Sequence, residues 1–162
     1  MVIQHYGSPL GDILLGAEED ELVGLWFAEQ AHFPALSHAV PGDSPALNAA
    51  RNWLDQYFSG EIPGILPPIS LKGTDFQLRV WEALEAIPYG QVITYGELAK
   101  GLGVRSAQAV GGAVGRNPIS LILPCHRVVG SNGQLTGYAG GLDRKKWLLD
   151  WEQSIIQNYT FK

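Results

Sequence analysis

The chain has 162 residues, 46% hydrophobic and 17% charged, with a formal net charge of −5, which describes an ordinary soluble globular protein of one or two domains. No apolar run approaches the ~18 residues of a membrane helix, and the start Met1-Val2-Ile3-Gln4-His5-Tyr6 lacks a signal-peptide layout, so no membrane association and a cytoplasmic setting are expected. Cys125 is the single cysteine, which excludes an internal disulfide framework and a cysteine-rich zinc site; His5, His32 and His38 lack metal-site spacing, so neither metal nor cofactor is expected.

In chain order, apolar runs at Val2–Tyr6, Gly11–Gly16 and Leu22–Phe27, separated by Gly7-Ser8-Pro9 and the acidic turn Glu18–Glu21, predict an antiparallel meander. Ser44-Pro45 supplies a helix cap and a first-turn proline. Leu47, Ala50, Leu54, Tyr57 and Phe58 then recur at helical spacing until Gly60, predicting a helix that packs on the sheet. Pro63, Pro67 and Pro68 make the next segment a linker with at most one short strand. A domain boundary near Lys72 follows, giving domains 1–72 and 73–162.

Beyond it, Thr74-Asp75-Phe76-Gln77 has the capping-box pattern and opens a helix that ends at Pro88-Tyr89-Gly90. Thr94–Lys100, the turn Gly101-Leu102-Gly103-Val104 and a small-residue helix over about 106–115 suggest a helix-turn-helix. The second helix carries Ala107, Ala109, Gly111, Gly112, Ala113 and Gly115. Interior glycine costs about 1 kcal/mol relative to alanine, so some close approach is needed: another helix, or a narrow nucleic-acid groove. The fold class expected is α+β. A small N-terminal antiparallel sheet with a helix joins a mainly helical C-terminal domain that contains the helix-turn-helix and the cysteine.

Charge divides along the same line. Residues 1–70 hold one cation, Arg51, against nine carboxylates, a balance of −8, whereas residues 71–162 hold ten cations against seven acids, a balance of +3. Within 100–146 the cations Lys100, Arg105, Arg116, Arg127, Arg144, Lys145 and Lys146 oppose Asp143 alone. Such asymmetry points either to a polyanion partner or to a solvated face.

Cys125 stands in Pro124-Cys125-His126-Arg127-Val128. A free cysteine is commonly a small buried hydrophobe. A flanking imidazole and guanidinium are instead the groups that generate a reactive thiolate. Neighbours in an extended segment face opposite ways, so His126 would reach the sulfur only through a bridging water or a bend.

Taken together, these pieces resemble the O6-alkylguanine-DNA alkyltransferases, also called methylated-DNA protein-cysteine methyltransferases. The resemblance rests on Phe76-Gln77-Leu78-Arg79-Val80-Trp81, Ile87-Pro88-Tyr89-Gly90 and Thr94-Tyr95-Gly96-Glu97-Leu98-Ala99. It continues through Ala109-Val110-Gly111-Gly112, Arg116-Asn117-Pro118, Leu123–Val129, Gly137-Tyr138-Ala139-Gly140-Gly141 and Trp147-Leu148-Leu149, covering nearly all of 74–152.

The resemblance implies single-turnover, irreversible transfer of an alkyl group from guanine O6 in double-stranded DNA to Cys125 after base flipping, by a monomer. It implies that His126 deprotonates Cys125 through a water, that Glu152 orients His126, that Tyr95 assists the leaving base near its N3, and that Asn117 braces the cysteine segment. It also implies that the slim helix, through Ala109, Gly111 and Gly112, enters the minor groove, with Arg127 among the DNA-contacting residues. Carbonyls near Cys125 and Val128 would read the guanine amino group, and the loop Tyr138-Ala139-Gly140-Gly141 would close the alkyl pocket. One departure stands out: Gln108 occupies the place where the family usually has an arginine that fills the gap left by the flipped base, and Arg105, one turn earlier, is a partial substitute. Two other readings fit the same residues: a sensor that binds alkylated bases without removing the group, and a cysteine acceptor for free bases or small alkylating agents.

Overall fold

The computed structural model describes residues 1–160; Phe161 and Lys162, at the end of the expected C-terminal domain, lie outside the described residues. The chain forms two compact units, Met1–Leu71 and Lys72–Lys162.

In the first unit, β1 (Val2–Ser8), β2 (Gly11–Glu18) and β3 (Glu21–Phe27) form the antiparallel meander. Both connections are two-residue hairpins. The second places Glu19 and Asp20 at φ 49° and 65°, the positive values that match a tight turn to strand twist. A fourth strand, β4 (Val40–Pro41), runs parallel to β1 and completes the order β3-β2-β1-β4; no sequence pattern announced it, because two residues carry no periodicity. Helix α1 (Pro45–Ser59) starts where the Ser44 hydroxyl accepts the Ala46 N–H and stops at Gly60, whose φ of 95° is left-handed. Its face of Leu47, Ala50, Leu54 and Tyr57 packs on β2 and β3 over Ile13, Leu15, Leu25 and Phe27. The proline-rich segment folds back onto the sheet edge, where Leu22 N donates to the Pro68 carbonyl at 2.7 Å and Ser70 N to the Leu22 carbonyl at 2.9 Å.

The second unit opens with α2 (Asp75–Glu85), begun by a reciprocal capping box between Thr74 and Gln77. The two-residue strand β5 (Ile93–Thr94) leads directly into α3 (Tyr95–Gly101), capped in the same way by Thr94 and Glu97. Gly103, at φ 70°, turns the chain into α4 (Ala107–Gly115), completing a helix-turn-helix. The inner face of α4, Val110, Ala113 and Val114, is buried where the helix packs on α2 and α3, and the Trp81 indole donates to the Ala113 carbonyl at 2.8 Å. Strand β6 (Val128–Val129) pairs parallel with β5, and α5 (Leu142–Thr160) packs on the turn that carries the cysteine. Among the described residues no helix is long and apolar enough to cross a membrane, and no group of three or more His, Cys, Asp or Glu could hold a metal.

Candidate active site

The segment Ile119–Val129 is buried throughout. Its shape is set by Asn117, whose side-chain amide donates to the Leu123 carbonyl at 2.9 Å while its oxygen accepts the Ile119 N–H at 2.9 Å. Between these points Leu121 adopts φ 73°, an uncommon left-handed conformation for a branched residue. Cys125 N donates to the same Leu123 carbonyl at 2.7 Å, and Cys125–Arg127 then form a 3₁₀ turn. The cysteine therefore sits in a bend and not in an extended strand, and successive residues of a tight turn do not alternate between two faces.

Cys125 is 4% exposed. Burial pushes its thiol pKa up, opposed by the polar side chain of Asn117, the charge of Lys145 and the polar side chain of Ser120.

His126 is fully buried, and its Nε2 lies 2.6 Å from Glu152 Oε2. Arg127 is buried as well. Its Nε and Nη2 donate to the two oxygens of Glu152 at 2.8 and 3.2 Å, and its Nη1 donates to the Ile87 carbonyl at 2.8 Å. Gly90 N gives the carboxylate a further bond at 3.1 Å. Burial alone would raise the Glu152 pKa, but His126 and Arg127 hold it well below the usual carboxylate range. Burial lowers the His126 pKa, with Arg127 and Lys145 acting in the same direction against Glu152. A neutral imidazole therefore donates through Nε2–H to Glu152, leaving Nδ1 as the acceptor. That Nδ1 is buried and has no hydrogen-bond partner among the described residues.

Two further groups close the site. The Tyr95 hydroxyl donates to the Thr136 carbonyl at 3.1 Å, and burial raises its pKa. Lys145, buried on α5, donates from Nζ to the carbonyls of Val128 (2.6 Å), Thr136 (3.1 Å) and Gly137 (3.1 Å). Its pKa is lowered to about 8 by burial, with the Cys125 charge acting the other way. A cavity of about 80 Å³ opens on Cys125, lined by Tyr95, Gly111, Val114, Gly115, Gly137, Tyr138 and Ala139. A larger cavity of about 460 Å³ between β1 and Arg51 offers no nucleophile.

The outer face of α4 has the opposite character. Arg105, Gln108, Ala109 and Gly112 are exposed, and Gly111 is half-buried. A Cβ added at Gly111 would sit in ordinary contact with the Tyr95 ring, 3.6 Å away, while one at Gly112 or Gly115 would meet no protein atom within 4 Å. Packing within the protein therefore does not account for glycine at 112 and 115. Gly115 instead borders the Cys125 cavity, and Gly112 faces open space.

The DNA-binding domain model of 6-O-methylguanine DNA methyltransferase matches residues 75–154, and the ribonuclease-like domain model of the same family matches residues 1–66. The methylated-DNA–protein-cysteine methyltransferase of Mycobacterium tuberculosis is 46% identical over 154 residues, covering 93% of each chain. The chain belongs to the 6-O-methylguanine DNA methyltransferase family. The family's enzyme from Methanosarcina acetivorans is 43% identical over 150 residues, covering 92% of this chain and 96% of that one. Among solved structures, Mycobacterium tuberculosis OGT in complex with DNA aligns with a TM-score of 0.89 at 43% identity, covering 96% of this chain and 94% of that one.

The structure gathers Cys125, Asn117, His126 and Glu152 around one turn, with Tyr95, Tyr138 and Ala139 on the cavity wall, and sets Gly140 in the buried start of the α5 approach. Arg127 differs from the reading that put it among the DNA contacts. Its guanidinium is spent on Glu152 and Ile87 and lies over the Tyr89 ring, so in this methyltransferase-family chain it is a buried partner of Glu152. Lys145 likewise leaves the basic cluster, since three carbonyls surround its ammonium. The Val128 carbonyl accepts from Lys145. Lys145 and Ser120 are the residues that motif reasoning passed over. The only signal for Lys145 was its place three residues before Leu148 on the buried side of α5, which charge counting hides.

Proposed function

We propose that this chain repairs DNA by direct reversal, taking the alkyl group of O6-alkylguanine onto Cys125 once per molecule, as a cytoplasmic monomer. Residues 73–162 carry binding and transfer, and residues 1–72 form the accompanying domain. The observation that carries the reading is the buried series Arg127–Glu152–His126, which ends in an imidazole acceptor nitrogen on the residue that follows the single cysteine in sequence.

The thiol proton passes through a water to His126 Nδ1, and Glu152 stabilises the imidazolium that forms. The sulfur attacks the alkyl carbon in line, the S–C bond forms as the C–O6 bond breaks, and the bonding pair leaves on the guanine. Tyr95 releases the Thr136 carbonyl and supplies a hydrogen bond or proton to the base at N3, where negative charge grows. Lys145 favours the thiolate by its charge and holds the 136–137 backbone behind Tyr95. The base reaches Cys125 only when flipped from the duplex, and α4 approaches the minor groove with its exposed glycine face to permit this. Gln108 occupies part of the gap left behind, without the charge of an arginine.

Incubation with a duplex containing one O6-methylguanine should add a single methyl mass to the peptide bearing Cys125, and Cys125→Ser should gain none. An unmodified wild-type peptide beside tight lesion binding would support a sensor. Equal rates on free O6-benzylguanine and on lesion duplex would support an acceptor of small substrates.

A further inference from the structure

The cavity over Cys125 is larger than a methyl group requires. It holds about 80 Å³, whereas a single water, close to a methyl in bulk, needs only ~10–15 Å³ of such space. Its wall is unevenly built: Tyr95 and Tyr138 bring aromatic rings, while Gly111, Gly115, Gly137 and Ala139 bring almost no side chain. The three glycines are there for different reasons. Gly137 adopts φ 57°, a conformation in which a side chain is strained. Gly111 faces the Tyr95 ring, which a Cβ would meet at 3.6 Å. Gly115 has neither reason: it is the last residue of α4, its φ is not positive, and a Cβ there would meet no protein atom within 4 Å. Positions 111, 114 and 115 are i, i+3 and i+4 on one helix and all three line the cavity, so a side chain at 115 would stand on the stripe that faces it. Glycine disfavours a helix more than any residue except proline, and at 115 what it leaves in return is room over Cys125.

We propose that Gly115 sets the size of the alkyl group this protein accepts, and that the groups it admits extend from methyl to arylmethyl substituents such as benzyl. In-line attack needs an unhindered first carbon, so added bulk has to lie beyond that carbon, and the space beside Gly115 takes it. The chemistry is unchanged. The Cys125 S–C bond forms to the first carbon as its bond to O6 breaks, the bonding pair leaves on the guanine, and the thiol proton goes through water to His126. This assignment rests on Cys125 being the alkyl acceptor.

The test is single-turnover transfer to the full chain from one duplex sequence carrying either O6-methylguanine or O6-benzylguanine, read as methyl or benzyl mass on the peptide bearing Cys125. The wild type should take both groups. Gly115→Val should slow benzyl transfer by roughly 100-fold relative to methyl transfer and Gly115→Ala by roughly tenfold, since one methylene in an apolar pocket changes discrimination by about 10–200-fold. A role for Gly115 in packing or in DNA approach alone would change both rates together, because the surrounding duplex is the same, and would leave their ratio where it was. Gly115→Ala keeps the test open if the valine variant does not fold, since alanine favours the helix. A wild type that takes methyl but not benzyl, or a benzyl-to-methyl ratio unmoved by substitution at Gly115, overturns the proposal. A wild type whose Cys125 is modified by neither lesion overturns the repair reading on which the proposal rests.

Discussion

The cysteine turn and the outer face of α4 belong to the same unit and are built in opposite ways. Around Cys125 the charged groups are committed: Glu152 accepts from Arg127 twice, from His126 and from Gly90, and Lys145 spends its ammonium on three carbonyls. On α4, Gln108, Ala109 and Gly112 are exposed, as is Arg105 just before the helix, and two glycines have space around them that the protein does not fill. Chemistry of this kind needs fixed dipoles before substrate arrives, while recognition of a bulky polymer needs a surface that comes close. The contrast assigns rigidity to the first region and steric economy to the second.

Breaking the buried side should have the largest effect. Arg127→Met leaves the Glu152 charge without its permanent partner and should cost about 3–5 kcal/mol of stability, read from the denaturant midpoint. The pH dependence has a definite sign. Because folding lowers the Glu152 pKa, its contribution is present above the unfolded value near ~4.3 and is lost as pH falls toward the folded value, so the wild type weakens in acid below about pH 4 and Arg127→Met less so. Lys145→Met removes the cation nearest the thiol and three donors together, and should slow single-turnover transfer by roughly 10–100-fold.

Changes on the exposed side should be smaller and should spare stability. Gln108→Arg adds one phosphate-seeking charge, so affinity for duplex DNA should rise several-fold at low salt, with the salt dependence steeper by about one counterion. Gly112→Ala should stabilise α4 by up to about 1 kcal/mol in thermal unfolding while weakening DNA binding, which would separate packing from approach at that position. Equal DNA affinity in Gly112→Ala would show that α4 does not come close to a partner there.

Elements long enough to repeat a pattern were legible. The three strands of the meander, α1 with its Ser44 cap, and the capping boxes at Thr74 and Thr94 follow from spacing and cap chemistry, all of which are local. Strands β4, β5 and β6 were not, since two-residue pairings are chosen by distant neighbours and leave no periodicity. The roles around Cys125 came through resemblance, and composition alone left the thiol ambiguous. Charge counting misled in a specific way: Arg127 and Lys145 counted toward a basic surface, yet both are buried with their donors satisfied by Glu152, Ile87, Val128, Thr136 and Gly137. A sequence does not reveal which cations are solvated. The glycines of α4 posed a question with two answers, and the space around Gly112 and Gly115 removed one of them.

A pairing of only two residues a side links the segment before Tyr95 to the segment after Cys125. Strand β5 ends one residue before Tyr95, β6 begins three residues after Cys125, and the two are joined only through Ile93↔Val128 and Thr94↔Val129. Slippage by one residue would carry the tyrosine about 3.3 Å along the strand and turn Ile93 and Val128 to the wrong face. Intermediate positions do not exist on such a ladder. The separation of Tyr95 and Cys125 is therefore stepwise rather than continuous, and it should tolerate imperfect side-chain packing nearby as long as the register holds.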